Sequence, residues 1–528
     1  MKKNGIAWLL IFGVSVAVFA ADPVSRYEVI DLPFTTATKQ AEPFKVDFGA
    51  TWTGPAGEVL KVPGFYNGGN EWLLRFSSGA AGTWTYTTWS TVPELNRKTG
   101  QLEISEATEG RHGPIVVSTE NPSQFSYEDG TPYFLSAFEC DWLYVLDYRN
   151  REATPKLEHF LDLLAANGIN QIVTTLYSYD TRWPVDPRLK ENPQHDYAKR
   201  DYIYPFKGSN PSPDFSELNV DFFKHYDRMV RLMDEREIVA HLMIYVWNKK
   251  VNWPEEGSEQ DDMFYDYVIA RYSAFPNVIW DVAKEAVRKP EAYVVDRLDR
   301  LRESNVFDRL ITVHDFKFCE KHADKLDFIS TQDWSHHIYG RMLPLYQKYD
   351  KPVFNIEHGG YTRAPYTVFP GDFTDPDYCL RRNYMCYFAG VYATYYWQGA
   401  AWNVIIHNPF EQPDDFVRPR FAYYKHLKEF FTRYDYNKFS PSSDSQPAHL
   451  AGNYVLKSVD EKYLIYMPRE YHQRSIYTRE GEGQPKGTLQ WFNVLTGEYS
   501  TVMEYKGGHI QSPWHGEADS IAIMNKKP

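Results

Sequence analysis

The chain has 528 residues, more than one compact core holds, so two or three domains are expected. Its formal net charge is −13 and no long Lys/Arg run interrupts it, which excludes an electrostatic footprint for nucleic acid. Hydrophobic residues make up 43% and charged residues 24%, a soluble globular balance, and the 16% aromatic share suits both large cores and the apolar faces of sugar rings.

The N-terminus reads as a signal peptide over residues 1–20. Lys2 and Lys3 precede an apolar run from Ile6 to Phe19, and Val18-Phe19-Ala20 places compact residues ahead of Ala21. No cysteine follows that run, so no lipid anchor is expected. No other stretch reaches ~18 apolar residues. The expectation is an exported protein, secreted or periplasmic, without stable membrane association after cleavage. Four cysteines, Cys140, Cys319, Cys379 and Cys386, are too few for a disulfide scaffold and lack zinc spacing. They read as buried thiols, with one disulfide left open.

Residues 21–115 read as an N-terminal β-sandwich. Phe44 to Phe48, Glu71 to Phe76 and Gly82 to Trp89 are short alternating runs between Gly, Pro and Asn clusters. From 116 to 438, short apolar runs alternate with amphipathic helices, the βα signature of a parallel sheet or barrel. Strand 1 is expected at Tyr133–Phe138, followed by a helix from Pro155 to Asn167 that stops at Gly168. Strand 2 starts at Asn170, and a helix spans Val220 to Arg236. Strand 3 runs from Ile238 to Val246, a helix from Asp262 to Phe275, and strand 4 from Asn277 to Glu285. A helix from Pro290 to Glu303 leads to strand 5 at Leu310–His314 and strand 6 at Phe328–Trp334. Strand 7 is Val353–Glu357, a helix contains Tyr378 to Gly390, strand 8 is Tyr392–Trp397, and a last helix spans Arg420 to Tyr434. Eight βα units in roughly 300 residues give the predicted fold class: an α/β (β/α)8 TIM barrel flanked by the sandwich and by a small C-terminal β-domain over 439–528.

In such barrels the active site forms at the C-terminal ends of the strands. Polar and aromatic residues recur there: Glu139 and Trp142; Tyr177 and Arg182; Trp247 and Asn248; Lys284 and Glu285; His314; His336, His337 and Tyr339; Glu357; Trp397, Gln398 and Trp402. Glu285 and Glu357 each close an apolar run. A carboxylate there is costly to bury, and two on separate strands supply the proton donor and the nucleophile or base that glycosidic cleavage needs. The other residues named are candidates for substrate binding.

Several segments resemble known families. Thr51-Trp-Thr-Gly-Pro, Pro63-Gly-Phe-Tyr, Trp72-Leu-Leu-Arg-Phe and Gly82-Thr-Trp-Thr-Tyr resemble the β-sandwich ahead of some bacterial barrel glycosidases. Asn277-Val-Ile-Trp-Asp-Val-Ala-Lys-Glu285 resembles strand 4 of the large clan of retaining barrel glycosidases. His337-Ile-Tyr339 resembles that clan's strand-6 motif, and Trp397 its strand-8 tryptophan. The layout is similar to that of apiosidase-like and marine-polysaccharide hydrolases. The resemblance implies Glu285 as acid/base, Glu357 as nucleophile, Tyr339 hydrogen-bonded to the nucleophile, and Trp397 beneath the cleaved sugar. One position departs: Lys284 stands where the clan usually has Asn, a place for binding an anionic substituent or for lowering the pKa of a neighbouring carboxylate.

The expected function is a secreted glycoside hydrolase acting on a plant or algal polysaccharide, or an oligosaccharide from it, with retention. The basic groups Arg182, Lys249, Lys250, Lys284 and Arg288 suggest an anionic glycan. No cofactor or metal is expected. A metal-dependent barrel hydrolase is an alternative because His314, His336, His337 and His358 lie at strand ends, but strand 1 has no His-x-His. A non-catalytic carbohydrate-binding protein is the other.

Overall fold

A computed structural model describes residues 24–184, 186–188, 192, 194–197, 199–359, 361–363, 373–442, 454–475 and 486–526. The expected signal peptide, residues 1–20, therefore lies outside the described residues. Eight parallel strands form a nearly closed barrel. They are β1 (Ala137–Glu139), β2 (Gln171–Thr175), β3 (Val239–Val246), β4 (Val278–Lys284), β5 (Ile311–His314), β6 (Ile329–Thr331), β7 (Val353–Asn355) and β8 (Tyr392–Tyr395). Hydrogen bonding runs β5-β4-β3-β2-β1-β8-β7-β6. Between β5 and β6 the gap is bridged by Thr312, whose hydroxyl donates to the Phe328 carbonyl (3.1 Å) and meets Ser330 Oγ (2.9 Å). The continuous apolar runs of β3 and β4 follow from this closure, since every residue of both strands is buried.

Helices α1 (Pro155–Ala166), α2 (Val220–Asp234), α3 (Glu259–Tyr272), α4 (Glu291–Ser304), α5 (Phe316–Lys321), α6 (Ile338–Lys348), α7 (Pro376–Phe388) and α8 (Phe421–Tyr434) surround the barrel. Their starts are written locally: Asn219, Ser258, Asp315 and Asp375 each accept a backbone N–H of the first turn. Gly168, at φ +79°, lets the chain leave α1 in the left-handed region.

Two expectations need correction, and two helices were not expected. Strand 1 begins at Ala137, because the Asn170 side chain takes the Phe134 carbonyl (3.0 Å) and the Ser136 N–H (2.8 Å) that a ladder would use. Pro132–Tyr133 instead pairs with Phe125–Tyr127. Phe44 to Phe48 is not a strand: Pro43–Lys45 forms a 3-10 turn, and the strand is Phe48–Thr53. Helices α5 and α6 escape the sequence reading, since α5 has only six residues and α6 contains Pro344.

Ahead of the barrel, a five-stranded and a three-stranded sheet share a core of Trp52, Trp72, Phe76 and Trp84, with Trp52 stacked on Phe76 at 3.9 Å. They join the barrel through a buried ion cluster. Arg75 donates to Asp31 (2.7 Å), Asp227 (2.9 Å) and the Arg271 carbonyl (2.7 Å), while Arg271 grips both Asp227 oxygens at 2.8 Å. Burial alone would raise the Asp227 carboxyl, but Arg271 and Arg75 outweigh it and hold it down at about 2. After the barrel comes a six-stranded antiparallel sheet, tied on by Arg381 to Asp519 and by Tyr384 stacked on Tyr466 at 5.2 Å. The four cysteines are buried thiols, none of them joined in a disulfide among the described residues.

Candidate active site

Alternation along β1 sends Glu139 and, two residues on, Asp141 to the same side. Lys284 ends β4, His314 ends β5, Lys249 lies three residues past β3, and Glu357 lies two past β7. The barrel brings all six to one place, with no solvent exposure of their side chains. The Lys284 ammonium sits at the centre. It donates to Glu139 Oε1 at 2.9 Å and lies 3.2 Å from Glu357 Oε2 and 4.0 Å from Asp141 Oδ1. Lys249 Nζ lies 3.4 Å from Asp141 Oδ2, and His314 Nε2 lies 3.6 Å from Glu357 Oε2.

The surroundings set the charges. Burial opposes the Lys284 charge, but Asp141, Glu139 and Glu357 outweigh it and hold the ammonium well above its ordinary range. Burial lowers Lys249 in spite of Asp141. Burial, with Lys284 and His241 nearby, keeps His314 far below its usual range and so neutral. Asp141 is lowered because Lys284 and Lys249 overcome the burial that would raise it.

Aromatic rings roof the cluster. Lys249 Nζ is 4.1 Å from the Trp402 ring and Lys284 Nζ 5.2 Å, while Trp142 and Trp183 lie 5.8 and 5.7 Å from Lys249. Trp402 holds this place at φ +70°, a region costly for a bulky side chain. Such strain persists where surrounding structure enforces it, typically at a site that works.

Glu285 differs. It follows β4 in the left-handed region, at φ +66°, and its N–H donates to the His314 carbonyl (3.2 Å). Its carboxylate accepts from Arg288 Nε at 3.2 Å, and its side chain is 23% exposed. Beside it, Arg182, Trp247, Lys249, Trp253, Arg288 and Lys289 line a cavity of about 350 Å3.

The remaining sequence candidates divide. Trp142, Tyr177, Asn248, Trp397 and Gln398 are buried, and each carries a polar side-chain atom with no hydrogen-bond partner among the described residues. Arg182 is exposed, with Nη2 donating to the Trp247 carbonyl (3.1 Å). His336 and His337 are exposed at the start of α6. Tyr339 lies on α6 with its ring edge-on to Tyr454 of the C-terminal sheet at 4.8 Å. The strand-end histidines do not converge: His314 is in the cluster, and His358 is turned to the Thr394 carbonyl at 2.7 Å. Among the described residues no three His, Cys, Asp or Glu side chains are grouped to hold a metal ion. Sequence reasoning counted Lys249 among the basic groups but missed its pairing with Asp141. The Glu-x-Asp spacing after β1 was the available signal.

Comparison with known proteins places this geometry. Residues 119–438 match the family "Apiosidase-like, catalytic domain", and residues 23–91 match a "Domain of unknown function (DUF5060)". No curated protein matches the chain. A putative glycoside hydrolase from Bacteroides vulgatus superposes with a TM-score of 0.75 at 18% identity, covering 96% of this chain and 100% of its own. A glycoside hydrolase family 5 protein from the same organism gives 0.56 at 16% identity, covering 78% and 93%. At such identities these likenesses speak for the fold. The family match spans more than half of the sequence, and so the chain belongs to the apiosidase-like family, whose chemistry is glycosidic bond cleavage.

Proposed function

We propose that the protein is an exported glycoside hydrolase that cleaves a plant or algal polysaccharide by double displacement with retention. The observation that carries this reading is the position of Glu357: fully buried two residues past β7, 3.2 Å from a lysine ammonium. The Lys284 ammonium stands as a fixed positive charge against this carboxyl. Glu357 attacks the anomeric carbon and Glu285 gives a proton to the leaving oxygen. Glu285 then takes a proton from the water that opens the glycosyl-enzyme. Arg288 Nε occupies Glu285 Oε2 at 3.2 Å, so this contact opens when substrate enters.

The orphaned polar atoms of Trp142, Tyr177, Asn248, Trp397 and Gln398 support a sugar as ligand. An anionic glycan is supported by Arg182, Arg288 and Lys289 around the cavity beside Glu285. Lys284 and Lys249 contribute less to that reading, because buried carboxylates already engage both. Export rests on the leader sequence alone.

The test is reducing-sugar release from neutral, uronic and sulfated polysaccharides by wild type, Glu285→Gln and Glu357→Gln. Activity on one glycan, lost by 10³-fold or so in both variants, is expected. Activity that survives both substitutions overturns the assignment.

A further inference from the structure

We propose that Glu139 stands uncharged in the folded enzyme and is the positioning residue that fixes the Lys284 ammonium against Glu357. The inference deepens the reading above and rests on Glu357 being the nucleophile.

The argument is a count of charges. The cluster holds three carboxyls, Glu139, Asp141 and Glu357, and two ammonium groups, Lys249 and Lys284, with His314 neutral. None of these side chains touches solvent. With every carboxyl ionised the cluster carries one uncompensated negative charge. A buried group in that position takes up a proton instead. The geometry says which. Asp141 has both lysines at hand, at 3.4 and 4.0 Å. Glu357 has Lys284 and the edge of His314. Glu139 meets one ammonium, Lys284, through Oε1, and its carboxyl shares a hydrogen bond with Asp141 that lowers the Asp141 carboxyl. Its two acidic neighbours also approach the same ammonium. A neutral Glu139 uses Oε1 as the carbonyl that accepts from Lys284 and carries its proton on the other oxygen, from which it donates to the ionised Asp141. Burial, with Asp141 and Glu357 adding to it against Lys284, pushes this carboxyl well above its usual range.

A consequence follows for the site. The 2.9 and 3.2 Å bonds through one nitrogen place oxygens of Glu139 and Glu357 within about 6 Å of each other. Were both ionised, they would divide the Lys284 charge. With Glu139 neutral, Glu139 still orients Lys284 but leaves the charge to Glu357. Lys284 here is therefore a tethered counter-ion and not a free contact for substrate.

The experiment is infrared spectroscopy of the full chain at pH 7, unlabelled and with carboxyl-labelled [13C]glutamate. A protonated-carboxyl band that shifts with the glutamate label and disappears in Glu139→Gln is expected. A wild type without such a band overturns the proposal whether or not the variant folds, and the band must survive in Glu285→Gln to belong to Glu139. Kinetics on the glycan that wild type hydrolyses give the positioning readout. Glu139→Ala should lower kcat by about tenfold or more with little change in KM, and Glu139→Gln should restore it to within about threefold. A label-sensitive band confined to the ionised-carboxylate region overturns the proposal, as does a Gln variant no better than Ala. Should Glu357→Gln stay active, the nucleophile assignment falls while the infrared result still judges Glu139.

Discussion

Lys284→Asn places in this chain the residue that the wider clan usually carries, and it separates two roles for the lysine. If Lys284 were a substrate contact standing in for Asn, the variant would be folded and active. The structure gives it a different task. Its Nζ lies 3.2 Å from Glu357 and 2.9 Å from Glu139, and its side chain has no solvent-exposed surface. At that distance and an effective dielectric near 20, one such attraction is worth about 5 kcal/mol before desolvation is charged against it. Breaking a buried pair by removing one partner costs roughly 3–5 kcal/mol, because the other charge is left behind. Asn restores a hydrogen bond but no charge, so three carboxyls would face Lys249 alone. The expected outcome is a thermal midpoint lower by several degrees and a kcat lower by about 10²–10³. Differential scanning calorimetry and the glycan assay measure both. A variant with the wild-type midpoint and rate would refute the counter-ion reasoning.

Three other outcomes are expected. The Asp227 carboxyl, held at about 2, is depressed from its ordinary 3.8. Its contribution is complete above pH 4 and lost as pH falls towards 2, by roughly 2 kcal/mol. Acid titration of stability should therefore be shallower in Asp227→Asn than in wild type by about that amount, although the variant starts less stable; equal slopes would count against the cluster. Arg182→Ala should reduce the preference for an anionic over a neutral glycan by about tenfold, read as a ratio of kcat/KM values. Trp402→Ala should raise KM by roughly tenfold with the fold intact, since its ring faces the lysine pair at 4.1 and 5.2 Å and its backbone is strained at φ +70°; an unchanged KM would make the ring structural only.

The barrel was legible because its strands are apolar and its helices amphipathic. The run from Ile238 to Val246 can sit only where both faces are buried, and β3 lies there. What escaped is set by side chains acting on backbone. No periodicity shows that Asn170 occupies the backbone groups of Phe134 and Ser136 and so delays β1. Proline inside α6 argues against a helix on local grounds, yet Ile338 and Met342 are buried and packing outweighs that local penalty. For the site, strand ends pointed to Lys284 and Glu139 as separate candidates. Their bond joins positions 145 residues apart, and no local pattern carries it.

The two glutamates that stand out in the sequence occupy opposite surroundings, and the contrast suits the two halves of the proposed reaction. Glu357 is sealed among Lys284, His314 and the barrel wall, with a fixed cation 3.2 Å away. A nucleophile needs that constancy, since its carboxylate must be ready before substrate arrives and must leave again as a carboxylate. Glu285 stands outside the cluster, partly exposed, on a left-handed residue that turns the chain from β4 towards the cationic cavity. An acid/base must give a proton in one step and recover one from water in the next, so access to solvent serves it better than burial. Lys284 and Glu285 are neighbours in sequence, yet the turn at φ +66° separates them into these two environments. A right-handed or extended residue at 285 would send its carboxylate in another direction, so the backbone strain at this one position belongs to the working geometry of the site.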